Sequence, residues 1–162
     1  MTTRADYTDE EWAALRRAPL VAGMAVSLAD PGGPIELTKE GMAALGAIGA
    51  PPGDEELLVA VSQDALARVQ QRENMLKEID LKGSTAREQI VDELRRVNGI
   101  LAAKATPDEA DAFRAWLVAA AQDAANAAKE GGFLGIGATR VSEGEKAMLA
   151  RLRQILGVEE GG

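Results

Sequence analysis

The segment Thr106-Pro107-Asp108-Glu109 has the composition of a helix start. A capping threonine accepts a hydrogen bond from the backbone N–H three residues on, and a glutamate at that position reaches back to the threonine's own N–H. Pro107 suits the first helical position, because the N–H that proline lacks would have no partner there within the helix. The segment therefore predicts a helix that begins at Pro107.

The same capping box occurs three more times, at Thr8–Glu11, Thr85–Glu88 and Ser142–Glu145. No segment shows the strict apolar–polar alternation of a half-buried strand. We therefore predict an all-α fold, a compact bundle of six or seven helices, organised as a single domain over residues 1–157 with a disordered tail at 158–162. With 46% hydrophobic but only 3% aromatic residues, its core must be aliphatic and rich in alanine.

Proline and glycine mark the helix boundaries. Pro19 lacks the N–H that a helix interior needs, so it should kink or divide the first helix. A long helix is predicted from Asp54 to Ile79, and Gly157 should end the last one. Apolar residues at helical spacing predict the buried faces: Trp12, Leu15; Leu58, Val61, Ala65, Val69, Leu76, Ile79; Ile90, Leu94, Val97, Leu101; Phe113, Trp116, Leu117, Ala120, Ala124, Ala128.

An internal duplication is a further hypothesis. When the pair Gly32-Gly33 is aligned with Gly131-Gly132, the alanines that precede the two pairs coincide, and a hydroxyl cap, Thr38 or Ser142, follows each pair. This alignment favours two related helix–loop–helix units. Chance similarity between alanine-rich helices that end in glycine is the alternative explanation.

Composition excludes several functional classes. The formal net charge of −8 disfavours nucleic acid, whose phosphates need a basic protein face. Without histidine or cysteine the chain lacks the two most versatile catalytic side chains and all thiolate metal ligands. The longest mostly apolar stretch is far shorter than the roughly 20 residues of a membrane span. We expect a cytoplasmic protein with no membrane span and no resident cofactor.

Carboxylates around the first glycine turn form a candidate metal site. Asp30, Glu36 and Glu40 lie close together in the sequence, and oxygen-rich loops suit calcium or magnesium. The alternative is that Glu40 serves the first turn of a helix, where a carboxylate stabilises the positive end of the helix dipole.

The loop that follows Gly131-Gly132 is a candidate contact site. It places Phe133, Leu134 and Ile136 among glycines, which is an unusual apolar content for a loop. These side chains either plug a space between helices or present an apolar surface to a partner.

The two helix–turn–helix segments resemble those of the tellurite-resistance TerB-like family of helical domains. The matching residues are Ala29–Gly33 with Thr38–Glu40, and Ala128–Gly132 with Ser142-Glu143. The resemblance implies an all-helical domain with acidic, cation-binding potential that is often linked to stress responses.

The function expected from the sequence is a non-enzymatic helical module for protein interaction or self-association, tuned by a divalent cation. One alternative is a helical bundle that holds a small apolar ligand between its alanine-lined helices. The other is a carboxylate-dependent hydrolase, although no spacing in the chain indicates a catalytic geometry.

Overall fold

The computed structural model describes residues 2–27, 46–71, 86–130 and 143–158. Over these ranges the protein is all-α, without strands, which confirms the predicted fold class. A short 3₁₀ helix precedes five α-helices that pack together, and residues 46–48 are also helical. The elements are the 3₁₀ helix Arg4–Asp6, α1 Asp9–Ser27, α2 Glu56–Gln70, α3 Ala86–Lys104, α4 Pro107–Glu130 and α5 Glu143–Leu156.

Helix α1 is the centre of the bundle. It packs against all four of the other α-helices with described bounds, most extensively against α4 and then α3. Its small side chains Ala14, Ala18, Ala22 and Ala25 are fully buried. Alanine at these positions lets the helix backbones approach closely, so many modest contacts replace a few large ones.

Pro19 does not divide the first helix, because α1 continues through it to Ser27. The other predicted outcome, a kink at Pro19, stays a prediction. Proline removes only one N–H from the ladder and leaves one carbonyl without its intrahelical donor. The residues that follow, Val21, Ala22, Ala25 and Val26, are buried against the other helices. Tertiary packing therefore outweighs the local cost of proline.

The predicted apolar faces form the core. Every predicted residue from Trp12 to Ala65 and from Ile90 to Ala124 is buried, whereas Val69 is half-buried. Helix α2 begins at Glu56, two residues after the predicted Asp54, and its described part ends at Gln70, with the C-cap Gln71 donating its N–H to Ala67 O. Residues 72–79 of the predicted helix, Leu76 and Ile79 among them, lie outside the described residues. None of the helices within the described ranges is long and apolar enough to cross a bilayer.

Two predicted capping boxes are confirmed. Glu11 N–H donates to Thr8 Oγ1 at 3.1 Å, and Thr8 N–H donates to Glu11 Oε1 at 2.8 Å. Thr106 and Glu109 exchange the equivalent bonds at 3.2 and 3.1 Å. The boxes at Thr85 and Ser142 lie outside the described residues, as do both glycine pairs of the proposed duplication.

Gly157 ends α5, as predicted, with a left-handed φ of 69°. Val158 N–H then donates to Arg153 O at 2.9 Å and Gly157 N–H to Gln154 O at 3.3 Å, which is the Schellman arrangement of a helix end. The side chain of Val158 is half-buried and packs against the core. Residues 159–162, the rest of the predicted tail, lie outside the described ranges.

Residues 46–50 are fixed to the bundle by two buried side chains. Trp116 Nε1 donates to the carbonyl of Ala47 at 2.8 Å, and Ser62 Oγ donates to the carbonyl of Ile48 at 2.7 Å. Phe113 packs edge-on against Trp116 with ring centroids 5.3 Å apart. Helices α2 and α4 therefore both contribute donors to the same short turn.

The Ser62 hydrogen bond gives a stability prediction. Ser62→Ala removes the donor and leaves the buried Ile48 carbonyl without it, so the free energy of unfolding should fall by about 1–3 kcal/mol. Urea unfolding followed by circular dichroism measures the change. The matched control is Gln63→Ala at the next, exposed position, and equal effects of the two substitutions would contradict the role of Ser62.

Candidate functional site

The predicted sites lie outside the described part of the chain. This applies to the acidic candidates Asp30, Glu36 and Glu40 and to the apolar candidates Phe133, Leu134 and Ile136. Both predictions therefore stay predictions. Among the described residues, no group of three or more aspartate or glutamate side chains is arranged to hold a metal ion.

The described polar side chains instead converge on helix α1. Arg16 and Arg17 are consecutive, and consecutive helical residues point about 100° apart. Arg16 pairs with Asp64 of α2, while Arg17 pairs with Glu93 of α3. Two consecutive residues of α1 therefore place their guanidinium groups against two different helices.

Asp64 is the acceptor of the first cluster. Its Oδ2 accepts hydrogen bonds from Trp12 Nε1 at 2.9 Å and from Arg16 at 3.0 Å, and Arg68 Nε lies 3.7 Å from Oδ1. Burial raises the pKa of Asp64, but these two hydrogen bonds and the charges of both arginines outweigh it and leave the pKa below its ordinary value. Arg16 Nε is buried without a hydrogen-bond partner.

The Arg17–Glu93 pair is more deeply buried. The two side chains are 6% and 11% exposed, with Arg17 Nε and one terminal nitrogen 2.8 and 2.6 Å from Glu93 Oε1. Arg96, one turn along α3 from Glu93, lies 4.0 Å from the other carboxylate oxygen. Low exposure protects the pair from screening, so each charge depends on its partner.

Glu109 is the centre of a third cluster, at the start of α4. The residue is 2% exposed, and its carboxylate accepts hydrogen bonds from the N–H and the hydroxyl of Thr2 as well as from the capping Thr106 N–H. Burial raises the pKa of Glu109, but the bonds from Thr106 and Thr2 outweigh it and lower the pKa overall.

Glu11 links α1 to the end of α3. Lys104 Nζ lies 2.5 Å from Glu11 Oε1, and the same oxygen accepts from Thr8 N–H. The Lys104 hydrogen bond, followed by that of Thr8, lowers the pKa of Glu11. Within the described part of the chain, the three carboxylates with lowered pKa values thus accept hydrogen bonds from donors that connect separate parts of the chain.

Sequence reasoning identified Glu11 and Glu109 as capping residues but missed their long-range partners, Lys104 and Thr2. It also missed Arg16, Arg17, Asp64 and Glu93. The available signal was the pair of arginines inside an otherwise apolar helix, which must find acceptors when the helix is buried on most sides. The sequence offers no indication of which carboxylates they would meet.

The chain matches no known family model, no curated protein and no solved structure. The resemblance to the TerB-like family therefore stays a hypothesis that depends on the residues quoted for it. Chemically, the described clusters hold helices in register through ionised carboxylates.

The Arg17–Glu93 pair yields a second prediction. Glu93→Gln should lower the free energy of unfolding by about 3–5 kcal/mol, because it removes the carboxylate charge that Arg17 contacts at 2.6 and 2.8 Å in a buried position. Replacing both members with apolar residues, as Arg17→Met with Glu93→Leu, should restore most of that loss. Chemical unfolding of the three proteins measures this, and a double variant no more stable than Glu93→Gln would contradict it.

The lowered pKa values predict loss of stability in acid. A carboxylate with a lowered folded pKa contributes stability above its unfolded pKa and loses that contribution as the pH falls through the folded pKa. For Glu11 and Glu109 the loss should begin below about pH 4.5, the ordinary glutamate pKa, and for Asp64 below about pH 3.8, the ordinary aspartate pKa. The urea concentration at the midpoint of unfolding, measured from pH 7 to pH 3, tests this loss of stability. In Asp64→Asn the midpoint should depend less steeply on pH. A midpoint that rose on acidification would contradict this assignment.

Proposed function

We propose that the protein is a non-enzymatic helical module that binds a basic protein partner or a second copy of itself. The observation that carries this proposal is the distribution of charge between interior and surface. Asp64, Glu93 and Glu109 serve the interior, where they hold helices together. Other carboxylates face solvent and are available to an external cation.

Two of the most exposed carboxylates, Asp9 and Glu10, lie at one end of the bundle. The starts of α1 and α4 lie at this end, because Thr2 reaches Glu109 and Glu11 reaches Lys104. The side chains of Asp9 and Glu10 are 96% and 90% exposed there. Their ion pairs with Arg4 and Arg96 are exposed and therefore weak, so a partner's lysine or arginine competes with them at little cost.

The net charge of −8 also favours a basic partner, and it does so at longer range. Such a charge speeds encounter with a basic partner and slows encounter with an acidic one. Binding to a second copy would need pairing of the exposed arginines of one copy with these carboxylates of the other. A divalent cation at Asp30, Glu36 and Glu40 is an additional hypothesis, in which the cation adjusts this surface.

Native mass spectrometry of the purified protein tests the proposal in three samples: alone, with added calcium, and with an oligolysine peptide. A discrete oligomer, a stoichiometric calcium adduct or a one-to-one peptide complex each supports one form of the proposal. A bare monomer in all three samples contradicts it.

A charge-reversal variant locates the peptide site. Glu10→Lys should weaken peptide binding by up to about fivefold, because a single exposed charge contributes at most about 1 kcal/mol. The matched control is Asp123→Lys, an exposed aspartate further along α4. If both substitutions weaken binding equally, the peptide responds to total charge and the acidic end is not the site.

A further inference from the structure

Residues 2–7 form a short segment, here called the strap, that lies across the starts of α1 and α4. Its backbone is a single 3₁₀ turn, closed by Asp6 N–H to Thr3 O at 3.0 Å and Tyr7 N–H to Arg4 O at 3.3 Å. Residues 3–6 are exposed, whereas the Tyr7 side chain is buried. The strap therefore contributes one aromatic ring to the core and little else.

Glu109 is where the strap is hydrogen-bonded to the bundle. Thr2 N–H lies 3.2 and 3.0 Å from the two carboxylate oxygens, and Thr2 Oγ1 donates to Oε1 at 3.0 Å. Tyr7 Oη lies 2.9 Å from the same hydroxyl, which places the phenol in the network. Within the described residues, the strap's other side-chain hydrogen bonds stay inside it or reach Asp9.

The anchor is strongest while Glu109 is ionised. Its hydrogen-bond donors are neutral N–H and O–H groups from Thr2 and Thr106, and all of them need an acceptor. A protonated carboxyl carries a hydrogen on one of its oxygens, so that oxygen can accept fewer hydrogen bonds. Neutralising this buried carboxylate removes acceptor capacity where three donors converge.

We propose that the strap is a releasable element, held closed by the negative charge of Glu109 and freed, with the helices still folded, when that charge is lost. Acid is the natural trigger. The ring centroids of Tyr7 and Trp12 lie 5.8 Å apart. Release therefore uncovers the Tyr7 ring and the face of Trp12 that lies next to it. An aromatic surface and a carboxyl group then become accessible together at the acidic end of the bundle.

Other charged groups surround the anchor and set the conditions of release. Asp6 and Tyr7 belong to the strap, Glu11 faces it from α1, and Lys104 from α3 lies 5.9 Å from the Tyr7 ring centroid while bonding Glu11. The pKa of Glu11 is lowered as well, by the hydrogen bond from Lys104 first, so the test must separate Glu11 from Glu109. Because burial is outweighed by hydrogen bonds, the pKa of Glu109 lies below its ordinary value, and release begins below about pH 4.5.

The chain contains no cysteine, so Thr3→Cys provides a unique site for a nitroxide spin label on an exposed position of the strap. Electron paramagnetic resonance then reports strap mobility at any pH, while circular dichroism at 222 nm reports the helices. We expect the label to become mobile at a higher pH than the one at which helicity is lost. Simultaneous changes in the two signals would overturn the proposal.

Glu109→Gln, in the labelled protein, separates Glu109 from Glu11. This variant should be mobile already at pH 7 and should show no further change on acidification before helicity falls. The matched control Asp111→Asn removes one exposed charge from the same helix without touching the strap. If Glu109→Gln keeps the wild-type acid response, Glu109 does not control the strap.

Trypsin provides a second, label-free measurement at neutral pH, because the peptide bond after Arg4 lies within the strap. Cleavage of a transiently open segment follows its open population. Loss of hydrogen bonds to a charged group should raise the cleavage rate about tenfold or more in Glu109→Gln. Thr2→Val, which leaves Glu109 intact, should raise it about threefold, since only one hydroxyl donor is lost.

Thr2→Val also decides the case in which Glu109→Gln does not fold. Faster cleavage after Arg4 in Thr2→Val, with unchanged helicity, supports the strap. Unchanged cleavage in Thr2→Val, or an equal increase in Asp111→Asn, overturns it.

Discussion

Burial of helix α1 on most of its circumference is the constraint on which the described structure depends. A helix that contacts four neighbours has little surface left for charge, yet the sequence places Arg16 and Arg17 in its middle. Each guanidinium therefore needs its own carboxylate, and Asp64 and Glu93 lie on two different helices. These pairs fix how α2 and α3 sit against α1, because moving either helix by one turn would strand a charge in the interior.

The same constraint explains why alanine is so common in the core. Large side chains on every face of α1 would push its neighbours apart and lengthen the distance that Arg17 must span to Glu93. Small residues bring the helices close, and the few aromatic rings are used where gaps remain. Trp116 fills one such gap against Phe113 and also supplies a donor to Ala47, so it both packs and satisfies a buried carbonyl.

Local features of this fold could be predicted from the sequence, and distant pairings could not. The capping boxes at Thr8 and Thr106 and the glycine end at Gly157 involve residues a few positions apart, so their chemistry is visible in a short window. Pro19 shows the limit of that window, since its local preference favours a kink or a break, yet packing carries α1 through it to Ser27. The contacts Thr2–Glu109 and Arg16–Asp64 join residues that only the tertiary fold brings together, and nothing in one sequence specifies such partners.

The position of α1 has a consequence for the order of events during synthesis. Its principal partner, α4, begins at Pro107, whereas α1 begins at Asp9. At about 5–20 residues per second, the ribosome takes on the order of 5–20 s to make the intervening chain. For that time the face of α1 that packs against α4 lacks its native partner, although α2 and α3 are made before α4. The final packing around α1 therefore comes late in translation, once α4 has been made.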